Sequence, residues 1–130
     1  MIIYCDGGSR GNPGPAASAF VVTEDGKTIF KDSKFLGVET NNVAEYTAVL
    51  LAIEWLSDKK AKGEIIINLD SQLVERQLNG FWKIKSPKLK LLADEIKSKA
   101  VKVKFVWNYR IKNILADDLV NEELDLNGKT

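Results

Sequence analysis

The sequence predicts an α/β domain built on a five-stranded mixed sheet, with three antiparallel strands, then two parallel strands, and helices on its faces. Two observations carry this prediction. Apolar runs in the first third of the chain are separated by turn signals, and two later apolar runs are each preceded by a helical pattern. The chain has 130 residues, which suits one core, so we predict a single domain over residues 1–130.

The first three elements are predicted to form an antiparallel meander. Met1–Asp6 is an almost continuous apolar run, which is typical of a strand buried on both faces. Ala17–Thr23 and Lys27–Phe35 follow as the second and third strands. The Asp25-Gly26 pair between them is a hairpin signal, so these strands should pair antiparallel.

The rest of the chain alternates helices with single strands. Asn41–Leu56 has apolar residues at helical spacing, with Thr40, Asn41 and Asn42 as candidate caps. The remaining predicted elements are strand Glu64–Leu69, helix Ser71–Leu78, helix Lys88–Lys99, strand Val101–Trp107 and helix Asn113–Leu124. Because the fourth and fifth strands are each reached through a helix, both should run parallel to the first.

Histidine is absent from the chain and cysteine occurs once, at Cys5. These facts exclude Ser-His-Asp and Cys-His catalysis and most zinc sites, which leaves carboxylates, lysines, hydroxyls or hard metal ions. Cys5 lies within the apolar run IIYC and is expected in the core; without a disulfide partner it indicates a reducing, cytoplasmic location. The chain start lacks a secretory pattern, and no run reaches transmembrane length.

Positive and negative charges nearly cancel but are unevenly distributed. The chain has 19 basic and 18 acidic residues, and eight lysines with only two acids lie between Lys83 and Lys104. The remainder therefore has 11 basic and 16 acidic residues, a balance of −5. A basic surface and an acidic site can coexist on one domain with this distribution.

Aspartates end two of the buried strands. Asp6 ends the first strand and Asp70 follows the fourth. If these strands are parallel neighbours, both carboxylates emerge side by side at the sheet edge where open sheets bind ligands. A strand-end aspartate taken alone is more often a turn former, so the inference depends on further acids nearby.

Two helices offer such acids. Glu45 lies on the core-facing stripe of the long helix, four residues before Val49. In the last helix, Asp117 shares a face with the apolar Val120, whereas Asp118 falls on the polar face. We therefore expect Asp117 to point inward and Asp118 outward.

A cluster of four carboxylates would be strongly self-repelling, and no basic residue of the predicted cluster balances it. Oxygen ligands alone favour a hard divalent ion, Mg²⁺ or Mn²⁺, and four acids can hold two ions. A pair of such ions is a standard device for hydrolysing phosphodiesters. A solvated acidic rim without metal is the alternative.

The loop after the first strand, GGSRGNPGP, matches neither a phosphate-binding P-loop nor a dinucleotide fingerprint. It lacks the Gly-Lys-Ser/Thr ending of the former, and a strand follows it where the latter requires a helix. Its glycines suit a tight turn that another backbone can approach closely. A nucleic-acid backbone is one candidate.

Four motifs of this chain resemble those of type 1 ribonuclease H. DGGSRGNPGPAA resembles D-G-S/G-x-x-G-N-P-G-P, TNNVAEYTAVLLAIEWL resembles T-N-N-x-x-E-x-x-A, LDSQLV resembles D-S-Q-x-V, and RIKNILADDLVNEEL resembles R-x-x-N-x-x-A-D-x-L-A-N. They occur in the family's order over nearly the whole chain. The resemblance implies a ribonuclease H-like fold and four family acids at Asp6, Glu45, Asp70 and Asp117.

This resemblance implies metal-dependent endonucleolytic cleavage of the RNA strand of RNA–DNA hybrids, which leaves 5′-phosphate and 3′-hydroxyl ends. It implies two Mg²⁺ ions, replaceable by Mn²⁺, with Asp6 bridging both and Asp117 completing the nucleophile side. Glu45 and Asp70 are implied to hold the leaving-group ion, and Glu45 also to read a ribose 2′-hydroxyl. The implied substrate-binding residues are Gly8, the minor-groove contacts Asn12, Asn42 and Gln72, and Thr40 at a DNA-strand phosphate.

The chain departs from the family pattern in two places. Many members have a histidine in the loop before the last helix, whereas this chain has WNYR, in which Arg110 is the candidate for a role. The basic protrusion of many bacterial members is replaced by the short GFWKIKSPKLK, where Trp82 either contacts the DNA strand or packs on a helix. The lysines that either track phosphates or form a solvated face are Lys83, Lys85, Lys88 and Lys90.

Two other functions stay open at this point. A nuclease of the same fold could cut double-stranded RNA or DNA junctions; the N-P-G-P loop and D-S-Q segment argue against junctions but not against double-stranded RNA, whose shape resembles a hybrid. A non-catalytic hybrid-binding module is the other, and the presence of all four acids argues against it. No pattern indicates an obligate oligomer, so a monomer is expected.

Overall fold

One mixed sheet with helices on both faces forms the domain in the computed structural model, which describes residues 1–108 and 113–127. The elements are β1 (Ile2–Ser9), β2 (Gly14–Glu24), β3 (Lys27–Glu39), α1 (Asn41–Asp58), β4 (Ile66–Leu69), α2 (Gln72–Leu78), α3 (Pro87–Ser98), β5 (Lys104–Trp107) and α4 (Ile114–Asn127). The sheet order is β3-β2-β1-β4-β5. β1, β2 and β3 pair antiparallel, and β4 and β5 are parallel to β1. The predicted fold class and element order are confirmed.

Several predicted boundaries were wrong by a few residues, and strand pairing explains most of them. Residues 7–9 pair with residues 16–18, so β1 and β2 extend into the glycine-rich segment that the sequence indicated as loop. β4 begins at Ile66 and not at Glu64, because Ile66 pairs with Ile2, the first residue of β1. β5 begins at Lys104 for the same reason, since Lys104 is the partner of Ile66.

The two faces of the sheet carry cores of different size. Alternate residues of β2 face opposite sides: Phe20 and Val22 belong to the large core under α1, whereas Ala17 and Ala19 pack against α4. α3 packs on α1 and closes the larger core. Cys5 is 1% exposed in that core, as predicted, and burial raises the pKa of its thiol. This cysteine is therefore a packing residue.

A close backbone contact joins β1 to the start of α1. A Cβ atom placed on Gly7 would lie 2.2 Å from the carbonyl carbon of Ala44, so only glycine fits there. Ser18, buried on the neighbouring strand, donates a hydrogen bond of 2.6 Å to the carbonyl oxygen of Ala44. These contacts fix the first turns of α1 above the end of β1.

Within residues 1–108 and 113–127, no helix is both long enough and apolar enough to cross a membrane.

Replacing Gly7 by alanine should destabilise the fold, because the added methyl group would overlap the α1 backbone. We expect the free energy of unfolding to fall by about 3 kcal/mol, as for a severe case of overpacking. The control is Gly8→Ala in the same strand, where the nearest atom to the added Cβ is Val120 Cγ1 at an ordinary 3.9 Å. Denaturant titration measures both variants, and equal stability of the two would contradict the prediction.

Candidate active site

Asp6 and Asp70 lie beside each other where the parallel pairing of β1 with β4 ends. The prediction that Asp6 ends the first strand is wrong, because residues 7–9 still pair with β2 and β1 continues to Ser9. Cys5 and Leu69 are partners in the parallel ladder, so the two aspartates that follow occupy adjacent positions. Asp6 is 6% exposed, and Asp70 is half-buried with its main-chain oxygen accepting a 3.3 Å hydrogen bond from the indole N–H of Trp107. The side-by-side arrangement expected from the sequence is confirmed.

Glu45 and Asp117 reach the same place from two helices. The Gly7 contact carries Glu45, in the second turn of α1, to the end of β1. Asp117, on α4, forms a side-chain hydrogen bond with Asp6. Asp118 is exposed and lines a different cavity, so the expected inward and outward directions of the two aspartates are confirmed.

Asn113 fixes the position of α4 relative to β1. Its side chain is fully buried, and its Nδ2 donates a 3.0 Å hydrogen bond to the carbonyl oxygen of Cys5, the residue before Asp6. Asn113 stands directly before α4, one helical turn ahead of Asp117. The bond therefore couples the start of the helix to the part of β1 that carries Asp6.

The electrostatics of this cluster are unfavourable to charged Asp6. The pKa of Asp6 is raised to about 9. Burial is the largest cause, followed by the charge of Asp70, the hydrogen bond with Asp117 and the charges of Asp117 and Glu45. Asp6 thus retains its proton at neutral pH in the absence of a cation. A bound cation would favour its ionised form instead.

A polar groove with a volume of about 440 Å³ lies over the cluster. Among the predicted site residues, those that line it are Asp6, Gly8, Asn12, Asn42, Glu45 and Asp117. The glycine-rich segment forms one wall, and its conformation is fixed by side chains at the start of α1. Ser9 donates from its backbone nitrogen and its hydroxyl to Asn41 Oδ1, and Asn12 Oδ1 accepts from the backbone nitrogen of Asn41 at 3.0 Å.

The remaining predicted residues lie outside this groove. Asp70 does not line it, although its charge acts on Asp6. Thr40 caps α1 by accepting from the backbone nitrogen of Val43 and lines an adjoining groove of about 530 Å³, which Asn12 and Asn42 also border. Gln72 is exposed at the start of α2, two residues after Asp70, and lines neither groove.

The sequence reasoning did not name several residues that line the main groove, among them the polar residues Arg10 and Asn121. Asn121 Nδ2 donates to Asp117 Oδ2 at 3.5 Å, a contact that its position four residues further along the same helix could have indicated. Arg10 is a basic residue that lines the same groove as the acids, for which the sequence predicted no balancing basic residue. Its guanidinium is, however, 2.7 Å from Asp125 Oδ1, an ion pair at the rim.

The lysine-rich segment after α2 borders the adjoining groove at one point. Lys88 lines that groove and forms an ion pair of 2.5 Å with Glu39. Trp82 is 45% exposed, so its ring is not fully packed in the core. Arg110, the candidate at the place of the missing histidine, lies outside the described residues, as does Tyr109 beside it.

Comparison with known proteins gives consistent matches over most of the chain. Residues 4–123 match the family model described as "Reverse transcriptase-like". Ribonuclease HI of Halobacterium salinarum is 40% identical over 128 residues, which cover 94% of this chain and 63% of that protein. The crystal structure of LC11-RNase H1 in complex with an RNA/DNA hybrid superposes with a TM-score of 0.91 at 42% identity and covers 96% of both chains.

The chain belongs to the type 1 ribonuclease H family.

Membership in this family confirms the resemblance inferred from the four motifs and the assignment to the ribonuclease H enzymes. Another relative, the bifunctional protein Rv2228c of Mycobacterium tuberculosis, is 39% identical over 130 residues. The chain spans only 35% of that protein's length. Within the larger protein, the similarity is therefore limited to a region the size of this domain.

Mg²⁺ suits the donors of this ribonuclease H site. The four converging side chains offer carboxylate oxygens, which hard divalent cations prefer, and a cation would replace the proton on Asp6. In the part of the chain that the structure describes, no three acidic side chains already stand as a metal-binding shell. What favours an ion is thus the chemistry of the donors and the repulsion among them.

Replacing Asp6 by asparagine should stabilise the metal-free protein. With a raised pKa, folded Asp6 binds a proton that the unfolded chain has lost, so wild-type stability falls as the pH rises from about 4 through 9. The asparagine side chain of the variant has no such proton to lose, and we expect a gain of about 2 kcal/mol at pH 8 in EDTA, discounted from the full shift because the cluster can relax.

Denaturant titration across this pH range measures the effect, with Asp118→Asn as the control because Asp118 is exposed on the same helix. A wild-type protein whose stability is flat between pH 5 and 9, or an Asp6→Asn variant that is less stable in EDTA, would show that the carboxylates do not repel one another as described.

Proposed function

We propose that the chain is a metal-dependent endoribonuclease that hydrolyses the RNA strand of RNA–DNA hybrids and leaves 5′-phosphate and 3′-hydroxyl ends. The observation that carries the proposal is the convergence of Asp6, Glu45 and Asp117 on one polar groove, with Asp70 beside Asp6. Similarity to LC11-RNase H1, which was crystallised with an RNA/DNA hybrid, supports the choice of substrate.

The four carboxylates are proposed to hold two Mg²⁺ ions, or Mn²⁺ in their place, with Asp6 shared between them. Asp117 completes the site on the side of the attacking water, and Glu45 and Asp70 form the site on the side of the leaving oxygen. When bound, such ions lower the pKa of the attacking water and neutralise the leaving oxygen. The water oxygen bonds to phosphorus and loses a proton to solvent, the bond from phosphorus to the 3′-oxygen breaks, and the departing 3′-oxygen takes up a proton from solvent to become a hydroxyl.

Neutral polar groups around the carboxylates are proposed to position the hybrid. Asn12 and Asn42 border both grooves, which supports the proposal that their amides contact a strand that passes from one groove to the other. Gly8 allows close approach at the floor of the main groove, and Thr40 is proposed to contact a DNA-strand phosphate in the adjoining one. Gln72, exposed beside Asp70, is the weakest member of this set because it borders neither groove.

Cleavage of an end-labelled RNA–DNA hybrid on a denaturing gel tests the proposed function. Mg²⁺ or Mn²⁺ should support cutting of the RNA strand, and EDTA should abolish it. A double-stranded RNA substrate belongs in the same assay, because it shares A-form features with the hybrid and is proposed as a second, weaker substrate. Hybrid binding without any cutting would contradict the proposed activity and indicate a non-catalytic hybrid-binding module.

A matched pair of neighbouring aspartates tests the assignment of residues. Asp117→Asn should lower the cleavage rate at least about 100-fold, equivalent to about 2.7 kcal/mol, because it removes a proposed metal ligand. Asp118→Asn removes the same charge from an exposed position and should cut within about twofold of wild type. Equal rates for the two variants would remove Asp117 from the site.

We further propose that residues 1–130 act as a monomeric single domain in a reducing compartment such as the cytoplasm. The free, buried Cys5 supports the choice of compartment, because it forms no disulfide. Light scattering coupled to size-exclusion chromatography measures the oligomeric state.

A further inference from the structure

A cluster of lysines lies at the end of the sheet opposite the carboxylates. A groove of about 550 Å³ opens there between the turn that follows α1 and the turn that follows α3. The lysines that line this basic groove are Lys60, Lys62, Lys99 and Lys102. The lysine-rich stretch noted in the sequence is therefore divided: α3 separates its first lysines, near the active-site grooves, from its last.

The basic groove is about 20 Å from the carboxylates along the structure. α1 carries Glu45 near its start and ends at Asp58, and 13 helical steps of about 1.5 Å give about 20 Å. The extended chain from Gly63 to Asp70 on the other side gives a similar length, at about 3.3 Å per residue over seven steps. Because the two grooves lie at opposite ends of α1, a duplex that occupies the carboxylate groove would have to bend around the domain to reach the basic groove, and its persistence length of about 150 base pairs opposes such a bend.

The lysines of the basic groove have no acidic ion-pair partner among residues 1–108 and 113–127. Residues 58–64 and 97–102 contain six lysines and two acids, a balance of +4, against +1 for the whole chain. None of the four groove lysines forms an ion pair with a described residue. The C-termini of α1 and α3 add about −0.5 each, which offsets only about one of these charges. A net positive charge of about three thus faces solvent around one concave surface.

The composition of the basic groove favours nucleic acid over protein as its partner. Among the described residues that line it, none is an arginine or an aromatic residue. Protein interfaces are enriched in those residue types and depleted in lysine, whereas lysines act as point charges that follow phosphates without reading sequence. Among the described residues, the apolar side chains of the lining are those of Leu56, Ala61, Ala100 and Val101, and none of them is a large exposed anchor.

We propose that the basic groove binds the sugar–phosphate backbone of a second nucleic-acid segment while the carboxylate site binds the hybrid. The inference rests on the proposed function only for what occupies the first site. A protein that holds two segments keeps its active site near nucleic acid after each release, because the second contact raises the effective concentration of neighbouring strands.

Chemical protection of lysines locates the second contact directly. The full chain is acetylated with and without a short DNA duplex at low salt, and mass spectrometry reports each lysine. We expect the duplex to slow acetylation of Lys60, Lys62 and Lys102 at least threefold, and high salt to remove the effect. Lys27 and Lys31, exposed on the edge strand β3, are the internal controls and should react at unchanged rates.

Two variants with equal loss of charge test whether the groove contributes affinity. One combines Lys60→Gln, Lys62→Gln and Lys102→Gln, and the control combines Lys27→Gln, Lys31→Gln and Lys34→Gln on β3. The groove variant alone should bind the DNA duplex at least tenfold more weakly at low salt. Its slope of log affinity against log salt should be smaller by about 2 to 3, which corresponds to three lost phosphate contacts.

Three results would overturn the proposal: equal weakening in both variants, absence of protection at the groove lysines, or protection by polyglutamate but not by the duplex, which would indicate an acidic protein partner.

The cleavage assay separates this inference from the proposed function. Hybrid cleavage at saturating substrate should be unchanged in the groove variant, and a wild-type protein that protects its groove lysines but cuts nothing would contradict only the proposed function.

Discussion

The acidic site depends on one backbone contact, the packing of α1 against β1 at Gly7. A side chain at this position would collide with the carbonyl of Ala44, so the helix could not reach the end of the strand. The contact brings Glu45 to the place where the β1–β4 pairing ends and Asp6 and Asp70 lie side by side. Asn113 performs the same task for α4 through its bond to the carbonyl oxygen of Cys5. The buried Asn113 hydrogen bond and the absence of a Cβ atom at Gly7 thus hold together four carboxylates that would otherwise repel one another.

The cluster is unfavourable to the metal-free protein, and this cost is part of its chemistry. Buried Asp6, surrounded by three other carboxylates, has a pKa of about 9. Its ionisation therefore destabilises the metal-free fold, and a bound cation would offset this loss. Sites with poised charges commonly lower the stability of a fold in this way. Arg10 does not relieve the repulsion, because its guanidinium binds Asp125 at the rim. Metal binding is then expected to stabilise the fold as well as to enable hydrolysis.

Much of this arrangement could be predicted from the sequence. The parallel pairing of β1 with β4, which puts Asp6 beside Asp70, and the helical period that selects Asp117 over Asp118 both depend on local patterns that the sequence shows directly. The ends of the strands could not be predicted as well, since β1 continues through glycines whose pairing with β2 is decided by the opposite strand. Arg10 was missed for a similar reason: its partner Asp125 is distant in sequence. The division of the lysines between two ends of the molecule likewise required the course of α3.

Exchange of a proton for a divalent cation in the carboxylate cluster is measured most directly by calorimetric titration of Mg²⁺ in two buffers of different ionisation enthalpy. The difference between the two heats gives the number of protons released on binding. We predict release of about one proton near pH 7, since Asp6 is protonated in the metal-free state, and no release from Asp6→Asn. Binding of Mg²⁺ without proton release, or no binding at all, would contradict this account of the site.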